Sequence, residues 1–288
     1  MKSVISHLAA CSVLGMVVAG QDVNDTENGM ADVIQGNADC ASVAAIFARG
    51  TFDSGNIGVW VGPQFFEELS SRLPSVALQG VDSTAYKADL DGYLSDGGSD
   101  DGAASLASTV NDYNSKCPDS AIIVSGWSQG ALVAHKALEQ VSSAALDKVA
   151  ALVTFGDPNG VWSGISLPTS IPSSSFSSSC VTGTVFDPLC AQLPNDFKLP
   201  TSISDIVGPF SSLPDVTVGT QQIKAAASLI VEFPKQLVKS WDSFVSNLTP
   251  DQFVRLMLTP QHFTYGNNGM AGQAAEFVAG LAAVQSAQ

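Results

Sequence analysis

The stretch Ala121-Ile-Ile-Val-Ser-Gly-Trp-Ser-Gln-Gly130 decides the fold of this chain. An apolar run typical of a β-strand leads into the pattern G-x-S-x-G, and helical spacing follows at once. In this strand–turn–helix context the serine takes strained backbone angles, and its hydroxyl is exposed above the N-terminus of the following helix. The pattern predicts that Ser128 is a nucleophile; a glycine-bounded turn without chemistry is the alternative.

Apolar runs alternate with helical patterns on both sides of this turn. The alternation predicts strands at 41–47, 76–81, 121–127 and 148–155, and helices at 59–73, 100–114, 129–139 and 271–284. Strands that alternate with helices at this spacing form crossover units around a parallel sheet. We therefore predict the α/β class, a three-layer α/β/α sandwich, with function at the carboxyl ends of its strands.

The N-terminal part of the chain departs from this alternation. Residues 1–20 combine Lys2, an apolar stretch and small residues at 18–20, which is typical of a secretion signal. Residues 21–39 are polar and are predicted to form a flexible mature N-terminus. Residues 40–288 are predicted to form a single domain.

Two later segments also depart from the alternation. Residues 163–179 and 191–218 are rich in serine and proline and are predicted to be loops. Residues 220–258 have helical apolar spacing. The mature protein is expected to be soluble, secreted and extracellular, with no stable membrane anchoring.

The charge of the chain limits its partners. Its 288 residues include 27 acidic and 12 basic side chains, a formal net charge of −15. Such a surface repels phosphate backbones, so we expect no nucleic-acid partner. No His, Cys or carboxylate cluster has metal-ligand spacing, so no metal or cofactor is expected. Asn24 and Asn247 lie in N-glycosylation sequons.

Ser128 needs an adjacent base, because a serine hydroxyl at its free pKa is a poor nucleophile. Two histidines follow the secretion signal. His135 lies on the same predicted helix, about 10 Å along its axis, and is interpreted as a packing residue. His262 lies in a loop before the last predicted helix and can fold back over the carboxyl edge of the sheet. We predict that His262 is the base.

The order Ser…Asp…His of hydrolase triads places the acid between Ser128 and His262. Asp157 precedes a proline at a strand end, where aspartate commonly forms a turn. Asp187 lies in a segment bounded by two cysteines, and a disulfide there would restrain the acid, contributing about 2.5–3 kcal/mol. We favour Asp187 and keep Asp157 as the alternative.

Four cysteines remain after the signal, an even number that suits an oxidising compartment and allows three pairings. Cys40 and Cys117 each precede a predicted strand, and parallel strands bring such points to one end of a sheet. We therefore favour Cys40–Cys117 with Cys180–Cys190.

The developing negative charge of an acyl-transfer reaction needs hydrogen-bond donors. The backbone N–H of Gln129, at a predicted helix N-terminus, is one candidate. Thr51, in the loop after the first strand, is the second, through its N–H and hydroxyl. An ordinary loop role for Thr51 is the alternative.

Together these residues resemble the cutinase family, small secreted serine esterases that include acetylxylan esterases and cutinase-like lipases. The shared motifs occur in family order: Phe47-Ala-Arg-Gly-Thr51, Gly126-Trp-Ser-Gln-Gly130, Phe155-Gly-Asp157, Phe186-Asp-Pro-Leu-Cys190 and Gln261-His-Phe-Thr-Tyr-Gly266. The resemblance implies a five-stranded parallel sheet and both disulfides. It also implies Ser128, Asp187 and His262 as the triad, with Thr51 and Gln129 as the oxyanion hole.

The function that the resemblance implies is hydrolysis of carboxylic esters through an acyl-enzyme. The expected substrates are cutin, other polyesters or short-to-medium acyl esters, and a monomer is expected. Acetylxylan esterase and lipase or phospholipase activity are alternatives on the same scaffold. A catalytically inactive, secreted binding or host-recognition protein is a remoter alternative from another class.

Two features depart from the family pattern. Trp127 stands where the family usually has tyrosine. Asp187 and His262 are far apart in the chain, whereas the family usually joins them by a short loop. Residues 191–258 are therefore interpreted as a partly helical insertion, either a structural appendage or an apolar rim or lid.

Overall fold

A computed structural model describes residues 23–162, 165–217 and 219–288. The predicted secretion signal at 1–20 lies outside the described residues. No helix in the described ranges is long and apolar enough to cross a membrane.

Five parallel strands form the central sheet, as the resemblance implied. They are β1 (Val43–Ala48), β2 (Val76–Gly80), β3 (Ala121–Trp127), β4 (Val149–Phe155) and β5 (Phe176–Ser179), in the spatial order β2-β1-β3-β4-β5. Every residue of β1, β3 and β4 is buried. Strands covered on both faces are mostly apolar along their whole length, which explains why polar side chains are rare in these segments.

The helices lie on both faces of the sheet and give the predicted three layers. They are α1 (Gly29–Gln35), α2 (Gly62–Arg72), α3 (Leu90–Asp96), α4 (Asp100–Lys116), α5 (Gln129–Leu138), α6 (Ser143–Leu146), α7 (Ile203–Val207), α8 (Thr220–Ser240), α9 (Met270–Gly280) and α10 (Ala282–Ala287). A hydrophobic core lies on each face of the sheet. Alternate side chains of β1 contribute to one core or the other, because successive strand side chains point to opposite faces. Val43 and Phe47 join the core that includes α2 and α9, whereas Ala44 and Ile46 join the core that includes α1, α4 and α5.

The prediction of a flexible segment at 21–39 is wrong for the part that the structure describes. Residues 29–35 form α1, in which Met30 and Val33 are buried. Asn28 also forms an isolated bridge with Gln79 of β2. A seven-residue helix with two apolar contacts has too little periodicity to be recognised in sequence.

The prediction of loop structure at 163–179 is wrong at its end, where Phe176–Ser179 forms β5. The backbone of this serine-rich strand pairs with β4, from Leu152 opposite Phe176 to Phe155 opposite Ser179. Besides this pairing at the sheet edge, the Phe176 side chain packs against the core. The loop prediction at 191–218 also missed α7 and a 3-10 segment, Gly208–Val216.

The insertion at 191–258 packs on the sheet core. Its buried side chains include Ile206, Phe210, Leu213, Leu229, Phe233 and Leu237, which belong to the same cluster as Trp127 and Phe263. The 3-10 segment Gly208–Val216 lies against the 3-10 turn Pro260–Phe263. The insertion is therefore part of the fold and covers the region around His262.

Both favoured disulfides are present. Cys40–Cys117 joins the chain just before β1 to the end of α4, and Cys180–Cys190 closes the loop after β5. From the lengths of the closed loops, about 4.5 and about 2.7 kcal/mol of stability are expected in the chain-entropy model.

Candidate active site

Ser128 occupies a strained turn between β3 and α5. Its backbone angles are φ 58° and ψ −126°, and its N–H donates to the Phe155 carbonyl at 3.0 Å. The glycines on either side are required by close packing. A Cβ on Gly126 would lie 2.2 Å from the Gly130 carbonyl oxygen, and one on Gly130 would lie 2.0 Å from the Ala48 carbonyl oxygen. The G-x-S-x-G pattern is thus explained by backbone contacts between the turn, its own helix and β1.

His262 and Asp187 form a buried hydrogen-bonded pair. His262 Nδ1 lies 2.7 Å from Asp187 Oδ2, and the two residues are 1% and 0% exposed. A carboxylate can only accept, so Nδ1 carries a proton, and in the neutral form of the ring Nε2 keeps the lone pair. Nε2 has no hydrogen-bond partner among the described residues. Nε2 is therefore the ring nitrogen that is left available for a proton from a neighbouring group.

Asp187 is held by three donors. Besides His262, the Tyr265 hydroxyl donates to Oδ2 at 2.6 Å and the Leu189 N–H donates to Oδ1 at 3.1 Å. Burial by itself raises the pKa of Asp187, but the charge of His262 and these hydrogen bonds outweigh it and lower the pKa below its usual value. Asp187 is consequently ionised, as an acid that orients an imidazole must be.

Contacts with β3 and β4 place the imidazole beside the Ser128 turn. The Trp127 indole N–H donates to the His262 carbonyl at 3.0 Å, and the two rings lie 5.3 Å apart. A Cβ on Gly156 would lie 2.9 Å from His262 Nδ1 and Cε1. Gly156 follows Phe155, whose carbonyl accepts the hydrogen bond from the Ser128 N–H. The chain segments around Ser128, Gly156 and His262 therefore meet at this point. Ser128 is 5% exposed, so a substrate has only a narrow approach to it.

The two predicted oxyanion donors are joined to each other. Gln129 is the first residue of α5, so its backbone N–H has no intrahelical acceptor. Its side-chain amide donates to Thr51 Oγ1 at 2.9 Å and to the Asp89 carbonyl at 2.8 Å. Because the Thr51 hydroxyl accepts this bond, its own proton remains available for donation.

The loop that carries Thr51 is fixed by residues that sequence reasoning missed. Arg49 donates from Nε to the Asp53 carbonyl at 2.9 Å and from Nη2 to the Tyr86 carbonyl at 3.0 Å. The Tyr86 hydroxyl donates back to the Arg49 carbonyl at 2.8 Å. Phe52 has φ 64°, so this loop is held in a conformation that few side chains adopt. Only the motif Ala-Arg-Gly-Thr marked the loop in sequence.

The rival acid and the second histidine bind each other. His135 Nε2 lies 2.7 Å from Asp157 Oδ2, and Asp157 Oδ1 accepts from the Asn159 N–H at 2.9 Å. Both residues are buried. The carboxylate that contacts His262 is therefore that of Asp187, whereas the carboxylate of Asp157 contacts His135 on α5.

A parallel sheet with a strained serine turn and an Asp–His pair at its carboxyl edge is the arrangement of the α/β-hydrolase class. Within that class the chain belongs to the cutinase family, whose model matches residues 39–199, more than half of the chain. The matched range includes Ser128 and Asp187 and ends before His262.

Individual proteins that are similar to this chain are also cutinases. Cutinase cut1 of Trichoderma harzianum is 38% identical over 151 residues, 52% of this chain and 57% of that protein. Cutinase pbc1 of Pyrenopeziza brassicae is 38% identical over 130 residues, 44% and 62% of the two chains. The chain thus spans less than two thirds of the length of these relatives. The solved structure of a Trichoderma reesei cutinase with a phosphonate inhibitor is similar in fold, with a TM-score of 0.53, 23% identity and coverage of 89% and 79%.

Proposed function

We propose that this protein is a secreted serine esterase that hydrolyses carboxylic esters through an acyl-enzyme. The observation that carries the proposal is the Asp187–His262 pair, whose free Nε2 lies at the edge where Ser128 sits on its strained turn. Membership of the cutinase family supports the same activity.

The proposed reaction has two halves. His262 Nε2 takes the proton of Ser128 while Oγ attacks the ester carbonyl, and Asp187 stabilises the imidazolium. The Gln129 N–H and Thr51 donate to the oxyanion, each contributing about 2.7–4 kcal/mol in the transition state. The intermediate collapses as His262 protonates the departing alkoxide, which leaves as an alcohol. Water then attacks the acyl-enzyme with His262 as base, releasing the acid and restoring Ser128.

The proposed substrates are cutin or other polyesters and short-to-medium acyl esters. The names of the curated relatives support polyester. Rates on nitrophenyl butyrate, triglyceride emulsion, polyester film and acetylated xylan would rank these substrates. Highest activity on acetylated xylan would contradict the proposal.

A fluorophosphonate probe tests the mechanism directly. We expect it to label the protein at Ser128 and to abolish nitrophenyl butyrate hydrolysis, and we expect Ser128→Ala to be unlabelled and inactive. Absence of labelling in the folded, unmodified protein would favour the inactive binding protein. Activity retained in Ser128→Ala would assign the nucleophile to another residue.

The organisation of the protein completes the proposal. Residues 1–20 are a secretion signal, and residues 40–288 are one catalytic domain that acts as a monomer. The signal pattern and the two disulfides support export, since disulfides persist in oxidising compartments. Asn24 and Asn247 are both exposed, as glycosylation requires.

A further inference from the structure

Helix α8 presents apolar side chains to the solvent. Five large hydrophobic residues are exposed in the described part of the chain, and four of them lie on this helix: Ile223, Ile230, Val231 and Val238. Spacings of seven, eight and fifteen residues correspond to about two and four helical turns, so these side chains share one face. We call these four residues the α8 stripe.

The α8 stripe is not required for folding of the helix onto the core. Another face of α8 already packs inward through Leu229, Phe233 and Leu237, which are almost fully buried. Ile223 and Val238, near opposite ends of the helix, are 59% and 60% exposed. A contiguous exposed apolar surface on a soluble protein typically marks an interaction site.

A row of lysines borders the α8 stripe. Lys224, Lys235 and Lys239 are exposed, and at about 100° per residue they fall beside the stripe on the side away from the core. The only acidic residue of the helix, Glu232, pairs with Lys235 at 2.9 Å. Helix α8 is therefore locally basic in a chain of net charge −15. A basic amphipathic helix is typical of helices that lie on apolar, negatively charged surfaces.

The helix is also in contact with the candidate active site. The Phe233 ring lies 6.2 Å from that of Phe52, the residue after Thr51. The Gln236 side-chain oxygen accepts from the Leu90 N–H at 3.2 Å, beside the Asp89 carbonyl that Gln129 binds. These contacts come from the inward side of α8, so a surface bound to the α8 stripe would lie across the helix from the loop that carries Thr51.

We propose that the α8 stripe docks the protein on the surface of an insoluble polyester. The choice of this occupant rests on the proposed function. Each hydrolysis converts a chain ester into an alcohol and a carboxylic acid, which ionises at neutral pH and remains on the polymer. The surface under attack is thus apolar and negatively charged. It complements the stripe and its lysines and repels the rest of this acidic protein, which orients α8 toward the polymer.

Binding to polycaprolactone nanoparticles tests the proposal, with one batch untreated and one given surface carboxylates by brief alkaline hydrolysis. Ser128→Ala is the parent, so that binding is measured without turnover. We expect tighter binding to the carboxylated particles and loss of this preference in 0.5 M NaCl, because salt screens exposed charges. Ile223→Gln/Val238→Gln should raise the half-saturating particle concentration at least about tenfold on both batches. Lys224→Gln should reduce only the preference for carboxylated particles.

Val185→Gln is the matched control, since Val185 is the fifth exposed hydrophobic residue and lies outside α8. It should bind like the parent, and circular dichroism melting shows whether each variant is folded. A folded Ile223→Gln/Val238→Gln that binds like the parent would overturn the proposal, as would an equal loss in Val185→Gln. A parent dimer that Ile223→Gln/Val238→Gln dissociates in sedimentation velocity would assign the stripe to a second copy of the chain and also overturn it.

The docking proposal and the esterase proposal can be refuted independently of each other. Hydrolysis of soluble nitrophenyl butyrate by the unmodified protein reports on the triad and does not involve a surface. A protein that hydrolyses this ester while its Ser128→Ala variant ignores both batches would refute docking alone. A Ser128→Ala variant that binds particles as expected, with no hydrolysis by the unmodified protein, would refute the esterase proposal alone.

Discussion

In the described part of the chain two buried Asp–His pairs, Asp187–His262 and Asp157–His135, have nearly the same contact geometry. In both, a carboxylate oxygen lies 2.7 Å from a ring nitrogen. In both, the other ring nitrogen has no hydrogen-bond partner among the described residues.

The two pairs differ in where the chain places the ring. His262 is hydrogen-bonded through Nδ1 from a loop that crosses the carboxyl edge of the sheet, and its ring lies against Trp127, the residue before Ser128. His135 bonds through Nε2 from within α5, and its ring lies against Phe176. Since His135 is about 10 Å along the helix from Ser128, it cannot take that proton. A carboxylate–imidazole contact therefore identifies a base only together with its position relative to a nucleophile.

Replacing each histidine by alanine should give the largest difference in kcat between the two pairs. His262→Ala should lower kcat for nitrophenyl butyrate by about 10⁴- to 10⁶-fold, because Ser128 loses its base. His135→Ala should change kcat little and should cost about 3–5 kcal/mol of stability, because Asp157 stays buried without its partner. Steady-state kinetics and urea unfolding measure the two effects. A comparable loss of kcat in folded His135→Ala would contradict the comparison.

Neutralising each acid should give the next largest difference. Asp187→Asn should lower kcat about 10⁴-fold, because an amide can favour the wrong imidazole tautomer. Asp157→Asn keeps the size of the side chain and should leave kcat nearly unchanged. Kinetics of both variants at one pH decide between them. Greater loss in Asp157→Asn would transfer the role of orienting acid to that residue.

A third buried carboxylate, that of Asp53, has no imidazole partner and shows what burial does to the pKa. Asp53 lies in the loop that carries Thr51, and burial raises its pKa to about 7, although backbone N–H groups and Arg49 oppose this. The folded state therefore favours neutral Asp53, and this stability is complete below about pH 4 and is lost as the pH rises through about 7. Asp53→Asn cannot ionise, so its unfolding free energy should gain up to about 4 kcal/mol on the unmodified protein between pH 4 and pH 8. Urea unfolding across this range measures the gain, and a pH-independent difference would show that folding does not raise the pKa of Asp53.

The smallest expected effect concerns the side chain that positions His262. Trp127→Phe removes the indole N–H that binds the His262 carbonyl and should lower kcat roughly 10- to 100-fold with KM little changed, because the ring is displaced. Phe176→Leu alters the equivalent contact of His135 and serves as control, with no expected change in kcat. If KM rises while kcat is kept, Trp127 acts on substrate binding and does not position the base.

Local patterns were sufficient for four of the five strands and for the turn at Ser128. Residues 121–127 and 148–155 are long apolar runs, and Gly126 and Gly130 mark the backbone contacts around Ser128. The strand at 176–179 and the helix at 29–35 were missed because pairing and packing partners far along the chain stabilise them.

The sequence predicted which residues form the candidate site, but it predicted few of the hydrogen bonds that hold them. The order of Ser128, Asp187 and His262 was legible from motifs. The hydroxyl of Tyr265 on Asp187 and the bond from Trp127 to His262 were not, since neither has a local signature. The exposed face of α8 was also hidden, because its apolar residues share the helical period with those that are buried.

By itself, the sequence determined the α/β alternation, the sharp turn at Ser128 and the residues available for acid–base chemistry. Each of these follows from periodicity, glycine placement and composition over a few neighbouring residues. Only the tertiary structure decided which carboxylate meets which imidazole, and which apolar side chains of the insertion face the core or the solvent. These outcomes depend on contacts between segments more than 20 residues apart, which parallel crossovers and a folded insertion bring together.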